Sequence, residues 1–272
     1  MKIFGFDVSG NYDYIDTPMV PNAATEPLFA KGGKTGCIVL HGITGTPANV
    51  RPTADALVRA GYTVVAPTLA GHGTTVRDFG KANENEWLAT ALGAYDKLKA
   101  EGCTRIIPVG LSLGGILAGE VAARKECAGA VLISAPLKMK PYLRCARLIS
   151  PLFPYIRYEN ENRHPEDTDY DLYSRMIDGM DTRKLKDLQR LINDLNKRLG
   201  DIRCPVCAIW AGRDNKVDDV SPELLKRGLS QAVPLTEHLL PDSPHGSTYA
   251  HERHKVAALV VDFVNALADK EV

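Results

Sequence analysis

Short, nearly continuous apolar runs punctuate the chain: Cys37 to Leu40 (CIVL), Tyr62 to Ala66 (YTVVA), Ile106 to Val109 (IIPV), Ala130 to Ile133 (AVLI) and Val206 to Trp210 (VCAIW). Each has strand length and lacks the alternation of a half-exposed strand, which predicts strands of a parallel sheet covered on both faces. Between them apolar positions recur at helical spacing. Pro47 to Ala60 is stopped by Gly61, and Asn83 to Glu101 by Gly102, the glycine stop expected at helix C-termini. Asn83 followed three residues later by Glu86 predicts a capping box, and Ser221-Pro222 predicts another helix start. Strands alternating with helices predict an α/β fold with a doubly wound, mostly parallel sheet.

Two regions depart from this alternation. Residues 1–32 carry little periodicity and read as an N-terminal arm laid on the surface. Residues 137–200 begin with a stretch rich in proline, tyrosine and arginine. Leu185, Leu188, Leu191, Ile192, Leu195 and Leu199 then recur every three or four positions, an amphipathic helix with one apolar stripe. The expectation is a mostly helical cap, 137–200, inserted into a core formed by 33–136 and 201–272. Open α/β sheets bind ligands at the C-terminal ends of their strands, where such an insertion would lie over the pocket. Leu143, Leu148, Ile149, Leu152, Phe153 and the Tyr155-Ile156 pair either line an acyl pocket there or pack the cap onto the sheet. Arg144, Arg147 and Arg157 are read as solvated.

Composition narrows the partners. With 33 basic and 33 acidic residues the formal charge is zero, so no overall field draws the protein onto nucleic acid or an anionic membrane. The opening residues MKIFGFDVSGNYDYID contain no apolar run of signal-peptide length, and the apolar, glycine-rich stretch Ile106 to Gly119 is too short to span a bilayer. A cytoplasmic protein with a small-molecule partner is expected. Six scattered cysteines in a chain of 272 residues fit reduced thiols better than a disulfide framework. Cys204 and Cys207 form a CxxC with no second pair and read as structural.

The stretch Val109 to Gly115, VGLSLGG, sets Ser112 between Gly110 and Gly114, after the strand RIIPV and before the helical GILAGEVAARK. This is the context of a G-x-S-x-G nucleophile elbow, whose glycines let strand and helix backbones pass close to a strained serine. A serine hydroxyl needs a base to take its proton and an acid to orient that base. Asp214 lies just past the strand CAIWAG, with Asp218 and Asp219 nearby as competitors, and His245 lies in PDSPHG before the final helix. The order Ser112, Asp214, His245 is the one this architecture uses. His238 reads as structural, and His251 and His254 as a solvated helix face, so no metal or cofactor is expected. Donors for a developing oxyanion are sought in the amide of Leu113, at a helix start, and in that of Ile43, in the loop HGITGTP. His41 and His72, each followed by glycine, read as buried turn-stabilising residues.

With HGITGTP, AGHG, GLSLGG, GRDNKV and PHG in order, the chain resembles the α/β-hydrolase superfamily, and within it bacterial carboxylesterases and monoacylglycerol lipases with a small helical cap. The resemblance covers approximately Gly33 to Ala268; the arm and the cap are departures that align to no particular member. It implies Ser112 as nucleophile, Asp214 and His245 as its partners, and Ile43 and Leu113 as oxyanion donors. The implied activity is cofactor-independent hydrolysis of a carboxylic ester with an apolar acyl chain. The same triad also serves thioesterases, acyltransferases, amidases and carbon–carbon bond hydrolases, and a non-catalytic binding protein is a further alternative.

Overall fold

The computed structural model describes residues 2–3, 6–7, 12–143, 154–157, 167 and 169–268. A seven-stranded sheet forms the centre. In chain order its strands are β3 (Leu28–Ala30), β4 (Thr35–Leu40), β5 (Thr63–Ala66), β6 (Arg105–Leu111), β7 (Ala130–Ile133), β10 (Val206–Arg213) and β11 (Leu235–Pro244), arranged in space as β11-β10-β7-β6-β4-β5-β3. All neighbours run parallel except β3, which pairs antiparallel with β5. The five apolar runs are five of these strands. Their period-2 alternation divides them between two cores: Ile38, Leu40 and Leu132 enter one, and Cys37, Val39, Val131 and Ile133 enter the other. Both faces of each central strand are therefore dry, which is why their sequences lack polar positions.

Helices cover both faces. α3 (Glu84–Ala100) and α4 (Leu113–Arg124) pack on one, α1 (Arg51–Arg59) and α8 (Arg253–Ala268) on the other. α3 starts as its capping box predicts: the Asn83 side chain accepts from the amides of Asn85 and Glu86, and the Asn83 amide donates to Glu86 Oε2 at 3.0 Å. The helical stretch 47–60 is two elements, a 3-10 turn Pro47–Val50 followed by α1, with Pro52 supplying a second helix start. α2 (Val76–Lys81) and α7 (Ser221–Gly228) complete the core.

The structure differs from the sequence reading in the arm and the insertion. Leu28–Ala30, within the stretch read as a surface arm, is the edge strand β3. Residues further upstream form β1 (Lys2–Ile3) and β2 (Phe6–Asp7), which join β8 (Tyr155–Arg157) and β9 (Gly179–Asp181) in a second, antiparallel sheet ordered β1-β2-β8-β9. Among the described residues the segment between β7 and β10 is thus a mixed structure, with β8 and β9, a short α5 (Tyr170–Tyr173) and the long α6 (Lys184–Arg198). Strands of two or three residues are too short to show a period, and their partners lie far away in sequence. All six residues of the leucine stripe are buried. The stripe docks on α4, where a side chain on Gly119 would meet Leu195 Cδ1 at 2.9 Å.

Candidate active site

Because β4, β6, β7, β10 and β11 run parallel, their C-terminal ends share one edge of the sheet. Ser112 directly follows β6, Asp214 follows β10, His245 follows β11, and the loop His41-Gly42-Ile43 follows β4. Four segments far apart in sequence meet there.

Ser112 holds φ 55° and ψ −114° between β6 and α4. A non-glycine residue at such angles is strained and persists only where its surroundings enforce it. The enforcement is steric. A Cβ on Gly110 would lie 2.0 Å from Gly114 O, and one on Gly114 would lie 2.1 Å from Leu40 O, so strand and helix approach as closely as the missing side chains allow. The other non-glycine residues with positive φ, among those described, are Thr44 at 61° and Ser134 at 45°; Thr44 shares a cavity with Ser112.

His245 Nδ1 donates to Asp214 Oδ2 at 2.8 Å, and Ser112 Oγ lies 2.9 Å from His245 Nε2. A carboxylate only accepts, so it fixes the imidazole proton on Nδ1 and leaves Nε2 as the acceptor of the serine hydroxyl. Asp214 Oδ1 accepts the amides of Lys216 at 2.8 Å and Val217 at 3.0 Å. Burial works to raise the Asp214 carboxyl. The adjacent His245, its hydrogen bond and the two amides outweigh that and hold the carboxyl below the usual value. The competing acids point elsewhere: Asp218 sits 3.6 Å from Lys138 Nζ, and Asp219 sits 2.7 Å from Lys140 Nζ. Of the three, the fold brings Asp214 to the imidazole.

Leu113 is the first residue of α4, where an amide has no intrahelical acceptor. Ile43 lies one residue past Gly42, whose added Cβ would meet Ser112 Cβ at 3.5 Å. Gly42 and Ile43 line a cavity of about 320 Å³ together with Ser112 and His245. Its apolar wall comes from Met139, Leu143, Met180, Leu185 and Leu188, and its polar side includes Asp171, Arg175 and Lys216. Of the residues read as acyl-pocket candidates, Leu143 lines it. Tyr155 and Ile156 pack elsewhere, Ile156 in the core and Tyr155 edge-on to Tyr12. Leu148, Ile149, Leu152, Phe153, Arg144 and Arg147 lie outside the described residues. Arg157 sits over the Tyr14 ring.

Asn49 is a site residue that the sequence reading passed over. Its Oδ1 accepts the Thr46 amide at 3.1 Å, and its Nδ2 donates to Tyr173 O at 2.7 Å and Arg175 O at 3.3 Å. Its carbonyl accepts from Thr248 Oγ1 at 2.6 Å. This buried side chain ties the loop after β4 to the insertion, while its backbone binds the segment after His245. The available signal was Thr46-Pro47-Ala48-Asn49, a cap residue followed at three by a side chain able to reach back.

His41 and His72 are buried beside the site with ring centroids 5.0 Å apart. The Leu69 amide donates to His41 Nε2 at 3.1 Å, so its Nδ1 carries the proton and donates to Gly42 O at 2.9 Å. Burial pushes His41 down to about 4, against the Gly42 contact, and burial with the neighbouring His41 pushes His72 well below its usual value. Both are neutral in the folded protein at pH 7, while the unfolded chain binds their protons below about 6.5. Their contribution to stability is complete above that pH and is lost as pH falls toward 4, by up to about 1.4 kcal/mol per pH unit per histidine. Urea midpoints are expected to drop between about pH 6.5 and 4.5, and to drop less in His72→Gln. A flat midpoint across that range contradicts the assignment.

His238 is half-buried on β11, and His251 and His254 are exposed. Among the described residues no group of three His, Cys, Asp or Glu side chains is placed to hold a metal, and no helix is long and apolar enough to cross a membrane. Cys204 and Cys207 are both unbonded and buried, which pushes their thiols up to about 11 and about 12.

A strained serine on a strand-to-helix turn, hydrogen-bonded to a histidine that is in turn held by a carboxylate, at the carboxyl edge of a mostly parallel sheet, is an arrangement that α/β serine hydrolases use. The sequence profile of the alpha/beta hydrolase family matches residues 37–259, and the chain belongs to that family. It is 30% identical over 213 residues to the thermostable monoacylglycerol lipase of Bacillus sp. (strain H-257), covering 76% of this chain and 82% of the relative. It is 29% identical over 201 residues to a carboxylesterase of Bacillus subtilis (strain 168), covering 74% and 80%. Among solved structures, one described with the metagenome-derived lipolytic enzymes LipS and LipT superposes with a TM-score of 0.81 at 26% identity, over 90% of this chain and 98% of that one.

Proposed function

We propose that Ser112 is the nucleophile of a carboxylic-ester hydrolase, with His245 as general base and acid and Asp214 as the residue that orients and stabilises the imidazolium. The chain is an ester hydrolase of the alpha/beta hydrolase type, the activity that its curated relatives carry in their names. The observation carrying the catalytic reading is the single imidazole bonded on both sides, 2.8 Å to Asp214 and 2.9 Å to Ser112. Ser112 Oγ attacks the ester carbonyl as its proton passes to His245 Nε2, and the amides of Ile43 and Leu113 receive the charge on the carbonyl oxygen. The tetrahedral intermediate collapses, the alcohol leaves with the proton from His245, and an acyl-serine remains. Water, deprotonated by the same imidazole, then releases the acid.

The apolar wall of Leu143, Leu185 and Leu188 supports an aliphatic acyl chain, and the insertion 137–200 acts as the cap that closes over it. The five free cysteines among the described residues support a reducing, cytoplasmic setting. An alkyl fluorophosphonate is expected to label the protein at one equivalent and to appear by mass spectrometry on the peptide containing Ser112. Label on any other residue contradicts the assignment. Hydrolysis of p-nitrophenyl esters and monoacylglycerols of rising chain length then ranks the acyl preference.

A further inference from the structure

The cavity wall holds a cation that has no ion-pair partner among the described residues. Arg175 lines the cavity that contains Ser112 and His245. Its carbonyl accepts from Thr46 Oγ1 at 2.9 Å and from Asn49 Nδ2 at 3.3 Å, so its backbone is anchored to the loop that carries Gly42 and Ile43. Its guanidinium Nε is buried and has no hydrogen-bond partner. Three described arginines of the insertion and its contacts are committed: Arg183 to Asp181, Arg190 to Asp187 and Glu84, Arg253 to Asp167. The cavity's carboxylates do not serve Arg175. Among the described residues no ion pair joins Arg175 to a carboxylate, and Asp178 lies 4.0 Å from Arg157.

A guanidinium stays charged at any working pH. Withdrawing one of its N–H groups from water without a partner is unfavourable, and its planar fork matches an anionic oxygen group with two parallel donors. We propose that Arg175 anchors a subsite for an anionic oxygen group on the substrate, so that the preferred esters carry a carboxylate or a phosphate besides the scissile bond. The inference rests on Ser112 being the nucleophile of the same cavity. The apolar wall takes the hydrocarbon part of such an amphiphile, and Arg175 takes its charged end. The result is a preference that an apolar pocket alone cannot produce.

Matched substrate pairs test this: mono-p-nitrophenyl glutarate against p-nitrophenyl pentanoate, and 1-dodecanoylglycerol 3-phosphate against 1-dodecanoylglycerol. In at least one pair the native protein is expected to show the higher kcat/KM on the anionic member. Arg175→Gln is expected to shrink that ratio about tenfold or more, chiefly through KM, with Arg175→Lys recovering part of it. The pair that responds identifies carboxylate or phosphate. A native preference for the neutral member in both pairs, or a ratio that Arg175→Gln leaves unchanged, overturns the proposal. Because the readout is a ratio within one preparation, partial misfolding of a variant lowers both members alike. The catalytic reading is tested separately: Ser112→Ala that still turns over both members sinks that reading. Calorimetric binding of the anionic ester to Ser112→Ala, lost in the double variant with Arg175→Gln, reports on the subsite without turnover.

Discussion

Ser112→Ala is expected to lower kcat on p-nitrophenyl esters by about 10⁴-fold or more, while its thermal transition stays within a few degrees of the native protein. The two halves have different origins. The rate depends on the oxygen held 2.9 Å from His245 Nε2, which alanine removes. Stability loses one hydroxyl's hydrogen bond, worth about 1 kcal/mol, and alanine keeps the backbone strain unchanged. Asp214→Asn is expected to cost about 10³-fold or more, because an amide placed against Nδ1 favours the wrong tautomer. Asp218→Asn and Asp219→Asn, whose carboxylates face the half-buried Lys138 and Lys140, are expected to stay within about twofold, since such pairs away from the imidazole contribute little. Steady-state kinetics on the four variants, with melting curves alongside, check the set. Substantial residual turnover by Ser112→Ala contradicts the nucleophile assignment, and a collapse of activity in Asp218→Asn contradicts the choice of acid.

This part of the molecule was legible because its signals are local. The elbow needs a buried strand, two glycines and a helix in immediate succession, and all of them lie between Arg105 and Arg124. The acid and base each sit one residue past a strand whose apolar run or extended character is visible, so chain order nearly determines their place at the carboxyl edge. The cavity walls were less legible. Leu185 and Leu188 belong to a helical stripe, yet that stripe predicts one apolar helix face and says nothing about which of its residues reach the pocket. The polar side, from Asp171 to Asp178, has no period at all: its conformation is held by Asn49 Nδ2 on Tyr173 O and Arg175 O, and by the Ile177 amide on Thr44 O at 3.1 Å. Those bonds link positions more than a hundred residues apart. The same reason hid the second sheet, where Asp7 pairs with Arg157 across a separation that no window along the sequence spans.

Gly114→Ala is expected to be the most destabilising single change, removing the cooperative folding transition or lowering its midpoint by more than about 10 °C. Helix propensity argues the opposite way, since alanine in a helix interior is favoured over glycine by about 0.5–1 kcal/mol. At this position the added methyl would lie 2.1 Å from Leu40 O, 2.6 Å from Leu40 C and 2.7 Å from His41 O. These are backbone atoms of a central strand and of the loop following it, and they cannot rotate away as a side chain can. Relief requires α4 to move off β4 by roughly 1 Å, which breaks packing over the whole helix and costs on the order of 4 kcal/mol or more. That is a large share of an ordinary folding free energy of about 5–15 kcal/mol. Gly93→Ala is the control: it is exposed within α3 and an added methyl meets nothing within 4 Å, so propensity acts alone and the midpoint is expected to rise by about 2 °C. Paired melting curves separate the two effects. A Gly114→Ala protein that melts like the native one would mean that strand and helix do not approach this closely, and the strain that presents Ser112 would then lack its physical source.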